Sequence, residues 1–408
     1  MKKLGLTIGF CLVVFACFGQ KKNVTDALKV AKDTRGNFAD ARTKIKSALQ
    51  HPDTKDDAKT WYTAGQIENL QFDKENTKQL IGQQPNDVVM YNALYEIYPY
   101  FAKAYELDQM PDAKGKVKPK FTKDMKAITK INFPYYINGG VYFFQQEEFK
   151  RAYELFDQFI VVYDSPLMKD GEPAVAPVDS NYIWASYYAA LAAFSLDHET
   201  SVNALKRATK VDFNRNESFQ LLVQKYIDVE DKANLETTLV EALAVFPTDP
   251  IFLETLAITY IEQDKNDKAL DYMLTAIKSN PSNARFYNVA GFIYENGFDD
   301  FNKAEENYRK AVEFDGENAD YQYNLGRIYF NQGVVQLDIA NDIADVKRYN
   351  EEKDKAKDFF RKSLPHFEKS FELNPDSVET KITLRSIYYN LDMGEKLDVM
   401  SKLLGDDD

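Results

Sequence analysis

Apolar and small residues recur along this chain at helical spacing. The segments YPYFAKAYELD (98–108), FKRAYELFDQF (149–159), DKALDYMLTAI (267–277), NKAEENYRKAV (302–312) and LPHFEKSFELN (364–374) share one pattern. Each places a small residue, then a large apolar or aromatic residue four positions later, then usually another small one three after that. Such offsets fall on one face of an α-helix. A second kind of segment precedes each of these: YINGGVYF (136–143), FQLLVQKY (219–226), LETLAITY (253–260), YNVAGFIY (287–294) and YNLGRIYF (323–330). Here an apolar–small pair is followed three residues later by an aromatic. The small residue lets a neighbouring helix approach closely, and the aromatic fills the space beside it. Strict apolar/polar alternation bounded by turn dipeptides, the mark of strands, is hard to find. The expected fold is all-α.

The two kinds of segment alternate with a fixed period. The step from Val223 to Ala257 equals the step from Ala257 to Gly291, each about 34 residues. A period of that length marks stacked helical hairpins, each unable to bury its apolar face alone. The best-ordered unit carries Leu253, Leu256, Ala257, Tyr260, Ala269, Met273, Ala276 and Pro281. The unit before it has Leu235 where a small residue is expected, and the unit after it has one inserted residue near Gly297. The unit at about 182–214 is weak. Two units are stretched between their helices, by roughly 20 residues near 70–90 and roughly 25 near 331–356. The first insert is polar and holds Gly82 and Pro85, so part of it should be loop. The second has neither Gly nor Pro, and carries Val335, Ile339, Ile343 and Val346 at helical spacing. It reads as lengthened helices projecting as a hairpin that turns between Asn341 and Asp354.

This array resembles the tetratricopeptide repeat family over nearly all of the chain beyond Gly19. The resemblance implies a right-handed α-solenoid of about eight to nine helix pairs, two of them with long inter-helix insertions. It also implies a non-enzymatic scaffold that binds other proteins or peptides in a concave groove lined by the first helix of each pair. In that family, groove contacts come from the second, fifth, ninth and twelfth residues of the first helix. Carried onto this register, those positions give Arg285, Asn288, Phe292 and Glu295 in one unit, and Asp320, Tyr323, Arg327 and Phe330 in the next. An early unit gives Tyr62, Gln66 and Asn69. Asn and Arg could bond a partner's backbone or carboxylate, while Tyr and Phe supply stiff apolar anchors. Read as a free groove ligand, Arg327 should be replaceable by Glu with loss of partner binding and little change in melting temperature.

The expected organisation runs from a signal peptide (1–19) to N-terminal helix pairs (20–109). A Lys-rich linker and helix follow (110–131), then the central array (132–377) with its extended hairpin at 331–356. Capping helices and an acidic tail (378–408) end the chain. Lys2 and Lys3, the apolar run Leu4 to Val14 and the small residues Ala16 and Gly19 form a secretory signal layout. Two processing routes are open. Cleavage after Gly19 would leave Gln20 as the new start. Alternatively, Val14-Phe15-Ala16-Cys17 resembles a bacterial lipobox, which would make Cys17 a lipid anchor. Either route implies a periplasmic or outer-membrane-associated protein of a Gram-negative bacterium. No later stretch approaches the roughly 18 apolar residues of a transmembrane span.

Composition narrows the chemistry. Both cysteines, Cys11 and Cys17, lie in the leader, so the folded part has no disulfide or thiolate ligand. The leader takes two of the 51 basic residues and none of the 64 acidic ones, so the remainder is more acidic than the whole. That field disfavours nucleic acid. His51, His198 and His366 sit in unrelated units, so no zinc site is expected. No phosphate loop and no G-x-S-x-G elbow is visible. No catalytic residue, metal or cofactor is expected. The alternative role is a structural or oligomerising subunit of an envelope or secretion complex, acting through its ends or the long hairpin.

Overall fold

The computed structural model describes residues 20–33, 36–169 and 179–405. The leader with Cys17 and Gly19, and the acidic end Asp406 to Asp408, lie outside them. The described residues form helices joined by short turns and loops, with no strand among them. Two compact units divide between Lys225 and Tyr226.

The first unit holds α1 (20–32), α2 (Phe38–Gln50), α3 (Ala58–Leu80), α4 (Asp87–Asp108), α5 (Thr122–Gln145), α6 (Phe149–Tyr163), α7 (Ser180–Ala193), α8 (His198–Ala208) and most of α9 (Arg215–Asp228). The second holds α10 (Lys232–Val245), α11 (Pro250–Ile261), α12 (Asn266–Ser279), α13 (Ala284–Phe298), α14 (Phe301–Phe314), α15 (Ala319–Asn341), α16 (Val346–Leu373), α17 (Val378–Asn390) and α18 (Gly394–Leu403). Helices pack on their neighbours in sequence, as in α5–α6, α13–α14 and α15–α16, and α11 also meets α13. Odd-numbered helices are the first members of hairpins and even-numbered helices the second. In the second unit, the buried apolar residues fall into successive local clusters: one at Ala284, Tyr287, Ala311 and Tyr321, a second at Tyr308, Leu325 and Ile328, and a third at Phe360, Phe367, Leu384 and Met400. This is the burial expected of stacked hairpins, each closing on the next.

One contact recurs in four of the hairpins, α3–α4, α5–α6, α13–α14 and α15–α16. A glycine on the first helix lies against an aromatic ring of the second. A Cβ on Gly140 would clash with the edge of the Phe156 ring; on Gly291 it would come within 2.7 Å of Tyr308, and on Gly326 within 2.9 Å of Phe367. Gly65 meets Phe101 in the same way. In the uninterrupted hairpin the ring lies 16 positions after the glycine (Gly140 to Phe156). The distance is 36 positions for Gly65 to Phe101 and 41 for Gly326 to Phe367. The insertions therefore lengthen the hairpins without moving the contact that closes them. Near residues 70–90 most of the added length is helix: α3 runs to Leu80, and only 81–86 is irregular before α4. Near 331–356 the turn is residues 342–345. Both lengthened second helices carry a proline two positions before the packed ring, Pro99 before Phe101 and Pro365 before Phe367.

The turn between first and second helix repeats too. Glu147, Glu230, Asp264 and Asp392 each adopt positive φ, between 55° and 60°. The next residue donates its N–H back to an aromatic carbonyl: Glu148 to Phe143, Asp231 to Tyr226, Lys265 to Tyr260 and Met393 to Tyr388, at 2.7–2.9 Å. This is the 6→1 bond of a Schellman helix end. In α13 the left-handed residue is Asp299, and Asp300 reaches one residue further back, to Tyr294. The extra residue near Gly297 is taken up there. Helix starts are capped by short polar side chains, among them Asp231, Asp249, Asn283, Asp300, Asn318 and Asp345, each accepting from an amide of the first turn.

Because the Gly140–Phe156 contact leaves no room, Gly140→Ala should lower stability by about 1–3 kcal/mol, despite the better helix propensity of Ala. Thermal unfolding followed by circular dichroism measures it. An unchanged or raised midpoint would mean that the ring is free to move aside.

Candidate partner-binding face

Residues at the family's groove positions fall into two groups. In the first unit, Tyr62, Gln66 and Asn69 of α3 face α5. The Tyr62 hydroxyl donates to Asp124 Oδ2 at 3.1 Å and accepts from Gln66 Nε2 at 2.7 Å. Burial, with the Asp124 charge beside it, pushes the Tyr62 pKa up to about 12. The Tyr62 ring stacks on Phe121 at 4.6 Å. Asn69 donates to Asp73 and accepts from the buried Asn132 at 2.6 Å. These side chains are committed to the seam between α3 and α5.

In the second unit, side chains on α11, α13 and α15 form a ladder. Arg285 grips Glu254, with its Nε donating at 2.9 Å. Asn324 Nδ2 donates to Asn288 Oδ1 at 2.9 Å. Arg327 forks onto the buried Glu295, at 2.5 and 2.8 Å, and Glu295 also accepts from the Tyr308 hydroxyl at 2.8 Å. Burial opposes the charge on Arg327, but its bonds to Glu295 outweigh that and raise its pKa. Beside Glu295, the buried Tyr308 hydroxyl is also held above its ordinary range, chiefly by desolvation.

Tyr323 and Phe330 lie half-buried over the rings of Phe367 and Phe360. They contribute mainly to the α15–α16 packing. Asn288 and Phe292 differ. With Glu254, Ile258, Val289 and Asn324 they line an open hollow of about 170 Å³. Ile258 also lines a larger neighbouring hollow, of about 710 Å³, with Tyr226, Ile227, Thr255 and Thr259. Ile227, Ile251 and Ile258 are exposed apolar residues on or beside this face. Sequence reasoning missed Ile258 and Thr255. A signal for them exists, since Ile258 lies one full repeat before Phe292, but it requires carrying the groove positions back to α11. Among the described residues no cluster of three or more His, Cys, Asp or Glu could hold a metal ion. None of their helices is long and apolar enough to cross a membrane.

Stacked helical hairpins with an open face on their first helices define a helical-repeat architecture. Two stretches of the second unit match family models: residues 252–283 a model described as "Tetratricopeptide repeat", and residues 299–333 one described as "TPR repeat". These two stretches of the chain match the tetratricopeptide-repeat family. Similar solved structures include residues 41 to the end of MamA from Desulfovibrio magneticus RS-1, 18% identical. It covers 49% of this chain and 100% of that one, with a TM-score of 0.35. A thermophilic tetratricopeptide protein of Thermus thermophilus is 14% identical, covering 51% and 99% with a TM-score of 0.36. A repeat protein of Bacteroides fragilis NCTC 9343 is 18% identical, covering 63% and 98% with a TM-score of 0.32. No curated protein matches the chain.

The ion pair changes what Arg327 is expected to do. Arg327→Glu would set a second carboxylate against the buried Glu295, so stability should fall along with any binding. Arg327→Ala, which strands Glu295, should cost about 3–5 kcal/mol. The double variant with Glu295→Ala should lose less than the sum of the single losses. Chemical denaturation of the four proteins measures this, and strictly additive losses would exclude the pairing.

Proposed function

We propose that this protein is an exported, non-catalytic scaffold that holds partner proteins or peptides against the α11–α13–α15 face. The observation that carries the reading is the ladder. Glu254–Arg285, Asn288–Asn324 and Glu295–Arg327 join three successive first helices, so the face is rigid before any partner arrives. Little ordering entropy then opposes docking. Ile258 and Phe292 supply apolar contact in adjoining hollows, and the Asn288 and Asn324 amides supply hydrogen bonds. The absence of paired nucleophile and base at any sequence motif favours binding over catalysis, and the net charge of −13 favours protein partners over nucleic acid.

The leader supports a periplasmic or outer-membrane-associated location, with a lipid anchor if Cys17 is the processed end. Intact mass of the mature protein tests this: a chain retaining Met1 would rule out export by this route.

The second reading is self-assembly through the long hairpin, favoured by the exposed Val335, Ile339 and Val346. Capture from cell-envelope extracts separates the two. Phe292→Ala combined with Ile258→Lys should lose partners at an unchanged melting temperature, while deletion of 335–352 should keep them. Retained partners in the first variant, with self-association lost in the second, would favour the hairpin instead.

A further inference from the structure

Residues 110–121, between α4 and α5, form a loop that its own carboxylates hold in shape. Asp108 is buried. It accepts from the backbone N–H groups of Lys120, Phe121 and Thr122 and from the Thr122 hydroxyl, all at 2.8–2.9 Å. These bonds outweigh burial and hold its carboxyl below the usual aspartate range. Asp112 does the same at the loop tip, accepting from the backbone of Lys114 and Lys116 at 2.9 and 3.0 Å. Its amide in turn donates to the Lys116 carbonyl at 2.9 Å, and Gly115 supplies the positive φ of 72° that the turn requires.

The acids are thus directed to backbone amides, and the ammonium groups are left over. Between residues 110 and 123 stand five lysines and one aspartate, in a chain of net charge −13. Lys118 reaches Asp112 at 3.4 Å. Lys114, Lys116, Lys120 and Lys123 are exposed and make no ion pair among the described residues. Met110 and Val117 are exposed between them. Lys59, Lys116, Lys118 and Lys120 line one open hollow of about 710 Å³, which Leu107, Met110 and Phe121 also line. Asp56, Asp57, Asp108 and Asp112 border it as well, but Asp56 stands 4.0 Å from the Lys55 ammonium, Asp57 caps α3, and Asp108 and Asp112 hold the loop.

We propose that this fixed, lysine-lined hollow is a second binding site, for an acidic polypeptide segment carrying apolar side chains. Lys116 and Lys120 in the hollow, flanked by Lys114 on the same loop and Lys123 at the start of α5, meet carboxylates without first having to be arranged. The apolar lining gives such a segment something to bury. A flat anionic membrane suits the site less, because it would bring the rest of an acidic chain up against like charge. The site lies in the first unit and shares no residue with the α11–α15 face.

The experiment is fluorescence anisotropy of a Glu-rich peptide containing leucine, titrated with the purified protein at low and at physiological salt. Phosphatidylglycerol vesicles are the parallel probe. Replacing Lys114, Lys116, Lys120 and Lys123 together by Gln should weaken peptide binding about tenfold or more at low salt, with helicity unchanged. Replacing four other exposed lysines, Lys46, Lys278, Lys347 and Lys402, should change it less than twofold. Asp108→Asn should weaken binding with every lysine still present, because the loop is then released. Three results would each overturn the proposal: equal loss in the two lysine variants, no loss in the first, or binding of vesicles with the peptide ignored. An Asp108→Asn protein that binds like the wild type would overturn it as well.

Discussion

The close approach of a small residue on one helix to a ring on the next is the constraint on which the rest depends. Where Gly140 meets Phe156 and Gly291 meets Tyr308, no atom separates helix backbone from aromatic face. That proximity sets the spacing and tilt of each hairpin. It also places the first helices of successive hairpins side by side, so that Glu254, Asn288 and Glu295 can reach Arg285, Asn324 and Arg327. The polar ladder is therefore a consequence of apolar packing. It stiffens a face that the rings have already positioned.

The two insertions show how strictly that contact is kept. Chain is added beyond the point of closure, at the far end of the hairpin, and the ring still finds its glycine. Pro99 and Pro365 keep the same two-residue offset from Phe101 and Phe367. A proline within a helix removes one backbone hydrogen bond and favours a bend there. Its recurrence just before the packed ring suits a long second helix that must still meet the glycine of the first.

Much of the architecture was legible because close packing constrains residue size. Opposite a buried ring there is no room for a large side chain, so a glycine marks that place in four hairpins and survives both insertions. The turns were not legible. A helix end in the left-handed conformation usually shows Gly or Asn, whereas here Glu147, Glu230, Asp264, Asp299 and Asp392 occupy it. The groove positions were legible as positions but not as states. Tyr62 and Asn69 are taken up by α5, Gln66 by Tyr62, and Arg285 and Arg327 by carboxylates on the preceding first helix, Glu254 and Glu295. Those pairings depend on how closely neighbouring first helices approach, which residue spacing within a single helix does not reveal.

The most direct test of the central contact is a double-mutant cycle on Gly326→Ala and Phe367→Leu, read by equilibrium unfolding. These residues stand 41 positions apart on either side of the long insertion. If the glycine exists to admit the ring, the smaller leucine side chain should relieve the added methyl, and the double variant should be more stable than additivity predicts by about 0.5–3 kcal/mol. Losses that simply add would contradict the account, because they would mean that the two residues do not meet.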